Sequence, residues 1–186
     1  HAPSPAFSGD GVSLQPYQLG DEAGRLDAYA STILDWRPDQ AGRVLALRNA
    51  LGRWADGLPA PQALTLVHRD FYYSQVLFHR SQLTLIDFDL LSLGDPAIDV
   101  ANFTAHLAFL GLDKLAGMDA LGVESKQFMA AYARHAAVDG AFLRRWAWYE
   151  AATFFRLLNV VAPRPGLAHT FDPLLERAES CLERQP

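Results

Sequence analysis

Sulfur and lysine are scarce in this chain. Its one cysteine, Cys181, excludes an intrachain disulfide and any cysteine-rich metal cluster. Because reactive thiols need an electropositive niche, a cysteine in an amphipathic C-terminal segment reads as structural. The lysines are Lys114 and Lys126, and the early glycines, Gly9, Gly11, Gly20 and Gly24, form no G-x-G-x-x-G frame. No apolar run approaches the roughly 18 residues of a membrane span. No signal peptide, internal repeat or low-complexity segment stands out either, so the expected setting is cytoplasmic and away from membranes.

With 16 basic against 21 acidic residues the net charge is -5, which disfavours nucleic acid as a partner, since phosphate binding needs clustered Lys and Arg. It mildly favours a cationic or neutral small ligand over an anionic one. What is present in abundance is apolar character. Half of the 186 residues are hydrophobic, enough for one folded domain with a substantial core.

One segment concentrates chemistry. His68-Arg69-Asp70 follows the strand-like run Leu64–Val67, Gln75 stands five residues beyond Asp70, and a second apolar run, Leu83–Ile86, leads to Asp87-Phe88-Asp89. In the phosphoryl-transfer pattern H-R-D-x-x-x-x-N, the Asp orients the attacking hydroxyl, the amide holds one Mg²⁺, and a later Asp holds the metal that bridges the phosphates. Those places fall on Asp70, Gln75 and Asp87. A hairpin of Val76–Phe78 with Leu83–Ile86, turning at residues 79–82, would put the two ligands at its two ends. Asp89, two residues past Asp87 on the same side of an extended chain, is a candidate additional metal ligand.

Farther on comes Gly94-Asp95-Pro96-Ala97-Ile98-Asp99. The succession of HRD, amide, IDFD and GDPxxD resembles the C-terminal lobe of the aminoglycoside phosphotransferase and choline kinase family. The resemblance covers about residues 64–107. It implies a protein-kinase-like fold, a Mg²⁺-bound ATP or GTP as phosphoryl donor, and a small-molecule hydroxyl as acceptor. By the same match Asp70 takes the catalytic place and Gln75 and Asp87 the metal places, while Asp95 and Asp99 brace the catalytic loop. Gln75 departs from the family's Asn, and its longer arm supplies the same hard oxygen.

His68, directly after Leu66-Val67, reads as a hydrogen-bonded support of that loop. Arg69 reads as the partner of a buried carboxylate, Asp95 or Asp99. The family's N-terminal β-lobe, with its phosphate-covering glycine loop and its lysine, has no counterpart in this sequence. The expectation is therefore a C-lobe whose partner is the missing N-terminal lobe of the same protein, inactive by itself, with His1-Ala2-Pro3 as a trimmed start.

The rest of the chain reads as helical: a loop or linker over 1–16, then a lobe over 17–186. Apolar residues recur at three and four from Asp21 to Leu34 and again from about Pro38 to Trp54. Later helices are expected from Pro96, capped by Asp95, to Gly111, and over 124–137, 142–161 and 173–184. Trp146, Trp148, Tyr149, Phe154 and Phe155 read as core. Strands are expected only between about Leu64 and Ile86. The fold class is α+β, mostly helical, without βαβ alternation.

Three functions fit these residues. The first is the C-lobe of an ATP- or GTP-dependent kinase acting on an aminoglycoside, an amino alcohol or a sugar. The second is a pseudokinase-like binding module without turnover. The third is a metal-dependent hydrolase gripping its ion with Asp70, Asp87 and Asp89.

Overall fold

The computed structural model describes residues 14–183. The elements run β1 (Pro16–Tyr17), α1 (Leu19–Ala23), α2 (Leu26–Trp36), α3 (Ala41–Asp56), β2 (Thr65–Val67), β3 (Val76–His79), β4 (Gln82–Leu85), β5 (Ser92–Gly94), α4 (Ala97–Lys114), α5 (Gly122–Ala133), α6 (Gly140–Val161) and α7 (Ala168–Leu182). Helices dominate and the sheets are small, in keeping with an α+β lobe.

The core gathers on α6, whose Trp148, Tyr149, Phe154, Phe155 and Leu158 are almost wholly buried, with Trp146 packed at its edge. Burying each such side chain stabilises the fold by roughly 1.5–3 kcal/mol before ordering costs are counted. Helices α2, α3, α4 and α7 pack around this spine. Asp139 starts α6 by accepting the Phe142 N–H at 2.7 Å, as a short acidic cap should. The indole of Trp148 donates to the Leu51 carbonyl at 2.9 Å, tying the spine to α3. Cys181 is buried on α7. Among the described residues no helix is long and apolar enough to cross a membrane.

Two expectations about secondary structure change. The helix read over Asp21–Leu34 is broken into α1 and α2 at Gly24-Arg25, where glycine weakens helical continuity. Strands also extend beyond the interval 64–86. A three-stranded sheet has the order β1-β5-β2, parallel between β1 and β5 and antiparallel between β2 and β5. Residues 1–13, most of the stretch read as a linker, lie outside the described residues, and Pro16 already belongs to β1.

The junction of the three strands needs Gly94. A Cβ there would meet Val67 Cγ2 at 2.7 Å and the Tyr17 carbonyl oxygen at 2.9 Å. The second sheet is the hairpin β3–β4, registered from Val76 opposite Leu85 to His79 opposite Gln82. Arg80 and Ser81 close it with φ of 45° and 69°, the two left-handed residues of a tight hairpin turn whose twist suits the strands.

Candidate active site

The loop after β2 is held from α4. His68 and Arg69 donate their backbone N–H groups to the two carboxylate oxygens of Asp99, each at 2.7 Å. One helical turn later, Asn102 donates Nδ2 to the Arg69 carbonyl at 2.8 Å. Residues three apart share a helix face, so Asp99 and Asn102 together grip both N–H and C=O groups of one short loop. Burial raises the Asp99 pKa above the ordinary carboxylate value, opposed by those two N–H groups. The grip holds Arg69 at φ 68°, a backbone conformation that costs a non-glycine residue energy and persists only when its surroundings fix it.

His68 is buried, and its ring Nε2 donates to the Ile86 carbonyl at 2.8 Å. The end of β2 is thereby fastened to the residue before Asp87. Arg69 acts differently from the sequence reading, which paired its side chain with Asp95 or Asp99. Its guanidinium lies 3.4 Å over the Tyr17 ring and reaches Ser92 Oγ at 3.3 Å. Asp95 instead pairs with Arg145 of α6 at 2.7 Å, both side chains buried, and accepts the Ala97 N–H at 3.1 Å. It joins α4 to α6 and makes no bond to the loop itself. A buried, unpaired Arg145 would be costly, so the pair fixes the angle between those helices.

Asp70, Gln75 and Asp87 converge. Gln75 ends a turn of 3₁₀ helix at Tyr73–Gln75, its backbone carbonyl accepts the Ile86 N–H at 3.1 Å, and its side chain is buried. The amide Nε2 donates to Asp87 Oδ2 at 3.1 Å and lies 3.5 Å from Asp70 Oδ2. The sequence reading assigned Gln75 to a metal place through its side-chain oxygen. Here the N–H₂ faces the two carboxylates, donating where two acceptors converge. Asp87 itself is exposed and left-handed, with φ 66°. Asp89 is exposed and makes no hydrogen bond to this group, and among the described residues no three His, Cys, Asp or Glu side chains gather as a metal site.

Sequence reasoning missed the other side of Asp70. Arg156 of α6 donates Nη1 to Asp70 Oδ1 at 3.1 Å, and its Nη2 lies 3.1 Å from Asn102 Oδ1 and 3.5 Å from His106 Nε2. Thr153 donates to the same Asn102 oxygen at 2.9 Å. His106 stacks on Tyr72 with ring centroids 4.5 Å apart. Burial and then the Arg156 charge push the His106 pKa down to about 3, leaving a neutral ring. The available signal was Arg156 itself: from Trp146 to Val161 the only charged residues are Glu150 and Arg156, and a charge within an apolar helix rarely lacks a partner.

Cavity size does not locate this chemistry. An apolar cleft of about 830 Å³ opens beside His68, Phe71 and Phe88 and is lined by Phe128 and Tyr132 of α5, but Asp70, Gln75 and Asp87 are not on its walls.

Comparison with known proteins adds a family and a relative. The family model described as the phosphotransferase enzyme family matches residues 13–138. The chain is similar to acyl-CoA dehydrogenase family member 10 of Mus musculus, at 29% identity over 164 residues. That match takes in 81% of this chain and 15% of the mouse protein, so the chain spans a small part of its relative's length.

Proposed function

Because the chain belongs to the phosphotransferase enzyme family, we propose that it is the acceptor-side and metal-side lobe of an ATP- or GTP-dependent kinase that phosphorylates a hydroxyl of a small molecule, of the size of an amino alcohol, a sugar or an aminoglycoside. The observation that carries this reading is the convergence of Asp70, Gln75 and Asp87 on the single donor Gln75 Nε2.

The donor set suits Mg²⁺. Two carboxylates and an amide are hard oxygen ligands, and among the described residues their one ion pair is that of Asp70 Oδ1 with Arg156. Gln75 and Asp87 would hold the ion, with the amide presenting its oxygen in place of the N–H it now offers. When bound with nucleotide, the ion neutralises charge on the phosphate oxygens.

The chain's own residues do the rest. Asp70 accepts the hydrogen bond of the acceptor hydroxyl, aligns its oxygen with the terminal phosphorus and takes its proton. As the new O–P bond forms, the bond to the leaving β-phosphate oxygen breaks and the nucleoside diphosphate departs. With little covalent work for the protein, holding this geometry is most of the catalysis. The Asp99–Asn102 grip on the loop serves that end.

A second lobe would complete the site. Phe78 and Leu83, opposite each other across the hairpin, are 75% and 63% exposed, an apolar patch on the strands that lead to the metal ligands, of the kind that another folded unit covers. The nucleotide-covering lobe of the same protein is the occupant we propose, and without it the 186-residue chain folds but does not turn over.

Phosphorus NMR of the full-length protein with ATP or GTP, Mg²⁺ and a panel of hydroxyl acceptors tests this reading. A new phosphomonoester signal is expected, absent for Asp70→Asn. Mg²⁺-dependent nucleotide binding with no transfer to any acceptor would instead leave a binding module. Equal release of inorganic phosphate with and without acceptor would mark a hydrolase.

A further inference from the structure

We propose that Arg156 is a positioning residue for the transfer reaction: it fixes the Asp70 carboxylate by occupying Oδ1, so that Oδ2 is the oxygen left to face the acceptor hydroxyl. This rests on the reading of Asp70 given above and adds to it a residue from a helix 86 positions away.

The geometry is that of a mount. Arg156 Nη1 bonds Asp70 Oδ1 at 3.1 Å, while Nη2 is engaged by Asn102 Oδ1 at 3.1 Å and approaches the neutral His106 ring at 3.5 Å. Because the guanidinium is planar, fixing Nη2 also fixes the direction of Nη1. Asn102 is fixed in turn, by Thr153 at 2.9 Å and by the Arg69 carbonyl at 2.8 Å. The peptide that leads into Asp70 and the cation that holds its carboxylate are therefore anchored to one amide. Neither end can shift without the other.

The pair is partly buried, 21% of Arg156 and 29% of Asp70 being exposed, so the carboxylate is held yet open to a ligand. An orienting carboxylate displaced by about an ångström loses rate steeply. Among the described residues the other oxygen, Asp70 Oδ2, has only the long 3.5 Å approach of Gln75 Nε2. It is the freer of the two and lies on the side of Asp87. A lysine at 156 would supply charge without the second, fixed arm.

The test is steady-state kinetics on the full-length protein carrying Arg156→Ala, Arg156→Lys or Asp70→Asn, with added guanidinium at millimolar concentration and a melting curve for each. Arg156→Ala is expected to lower kcat by a hundredfold or more with the nucleotide KM within about twofold. Guanidinium should restore kcat at least tenfold in Arg156→Ala and leave Asp70→Asn unchanged. Arg156→Lys should recover only part of the loss and keep the wild-type melting temperature.

A kcat within threefold of wild type in Arg156→Ala overturns the proposal. So does a loss that guanidinium does not relieve and that follows the fraction unfolded. If Asp70→Asn retains normal turnover, the assignment of Asp70 has failed first and the role of Arg156 fails with it.

Discussion

Gln75 Nε2 and Asp87 Oδ2 lie 3.1 Å apart, with Asp70 Oδ2 at 3.5 Å from the same nitrogen. A neutral amide thus sits between two carboxylates contributed by different loops. The arrangement carries net negative charge that a cation would relieve. On the proposed reading Gln75 would be a ligand as well as the spacer seen between the carboxylates, and the two roles are separable.

Removing the amide should raise the Mg²⁺ requirement. Gln75→Ala is expected to shift the Mg²⁺ midpoint of turnover upward and to lower kcat, and Gln75→Asn to recover much of both because the ligand atom is of the same kind. A Mg²⁺ titration beside a melting curve separates the roles. An unchanged midpoint with a lowered melting temperature would make Gln75 a loop brace only.

Asp99 is expected to matter for stability and for rate together. Asp99→Ala leaves the His68 and Arg69 N–H groups, now bonded at 2.7 Å, without their acceptors, at a cost of about 2–4 kcal/mol. Urea unfolding measures that cost, and turnover per folded molecule should fall as the loop slackens. A change below about 0.5 kcal/mol would mean that the loop is held by something else.

His106 should give the fold an acid-sensitive limb. Its native pKa of about 3 lies below the ordinary 6.5, so above pH 6.5 neither state carries the proton and the ring makes no pH-dependent difference. As pH falls through that window the unfolded chain takes up a proton that the native state refuses, and stability declines until the native ring also titrates. By pH 4.5, two units below the unfolded value, this amounts to about 2.7 kcal/mol. The difference in unfolding free energy between wild type and His106→Phe, followed from pH 7 to 4.5, should therefore move against the wild type. A pH-independent difference would show that the ring is not held neutral.

How much of this was legible depended on the range of the interaction. The hairpin was readable because two apolar runs lie four residues apart and local pairing decides it. α4 and α6 were readable to within a residue or two at their starts, since Asp95-Pro96 marks the first and the apolar faces of both persist for several turns. β1 and β5 were not, because Pro16–Tyr17 and Ser92–Gly94 are too short to show alternation and form by pairing across the chain, β1 with β5 and β5 also with β2. The same rule holds at the site. Asp70, Gln75 and Asp87 fall within 18 residues and their spacing exposes them, whereas Asn102 and Arg156 join Asp70 only when α4 and α6 pack. The partner of Arg69 was misjudged because Tyr17, an aromatic face rather than a carboxylate, comes from a strand that local pattern does not reveal.

The central claim is that Asp70 serves the acceptor and Asp87 serves the metal. Its most direct test is to measure, on Asp70→Asn and Asp87→Asn forms of the full-length protein, both phosphoryl transfer and Mg²⁺-dependent nucleotide binding. Both variants should lose turnover by orders of magnitude while melting within about a few degrees of wild type, as polar site residues outside the core do. Asp87→Asn should also bind Mg²⁺-nucleotide more weakly, and Asp70→Asn should bind it normally. Near-normal rates in both variants, or weakened nucleotide binding in Asp70→Asn alone, would contradict the assignment.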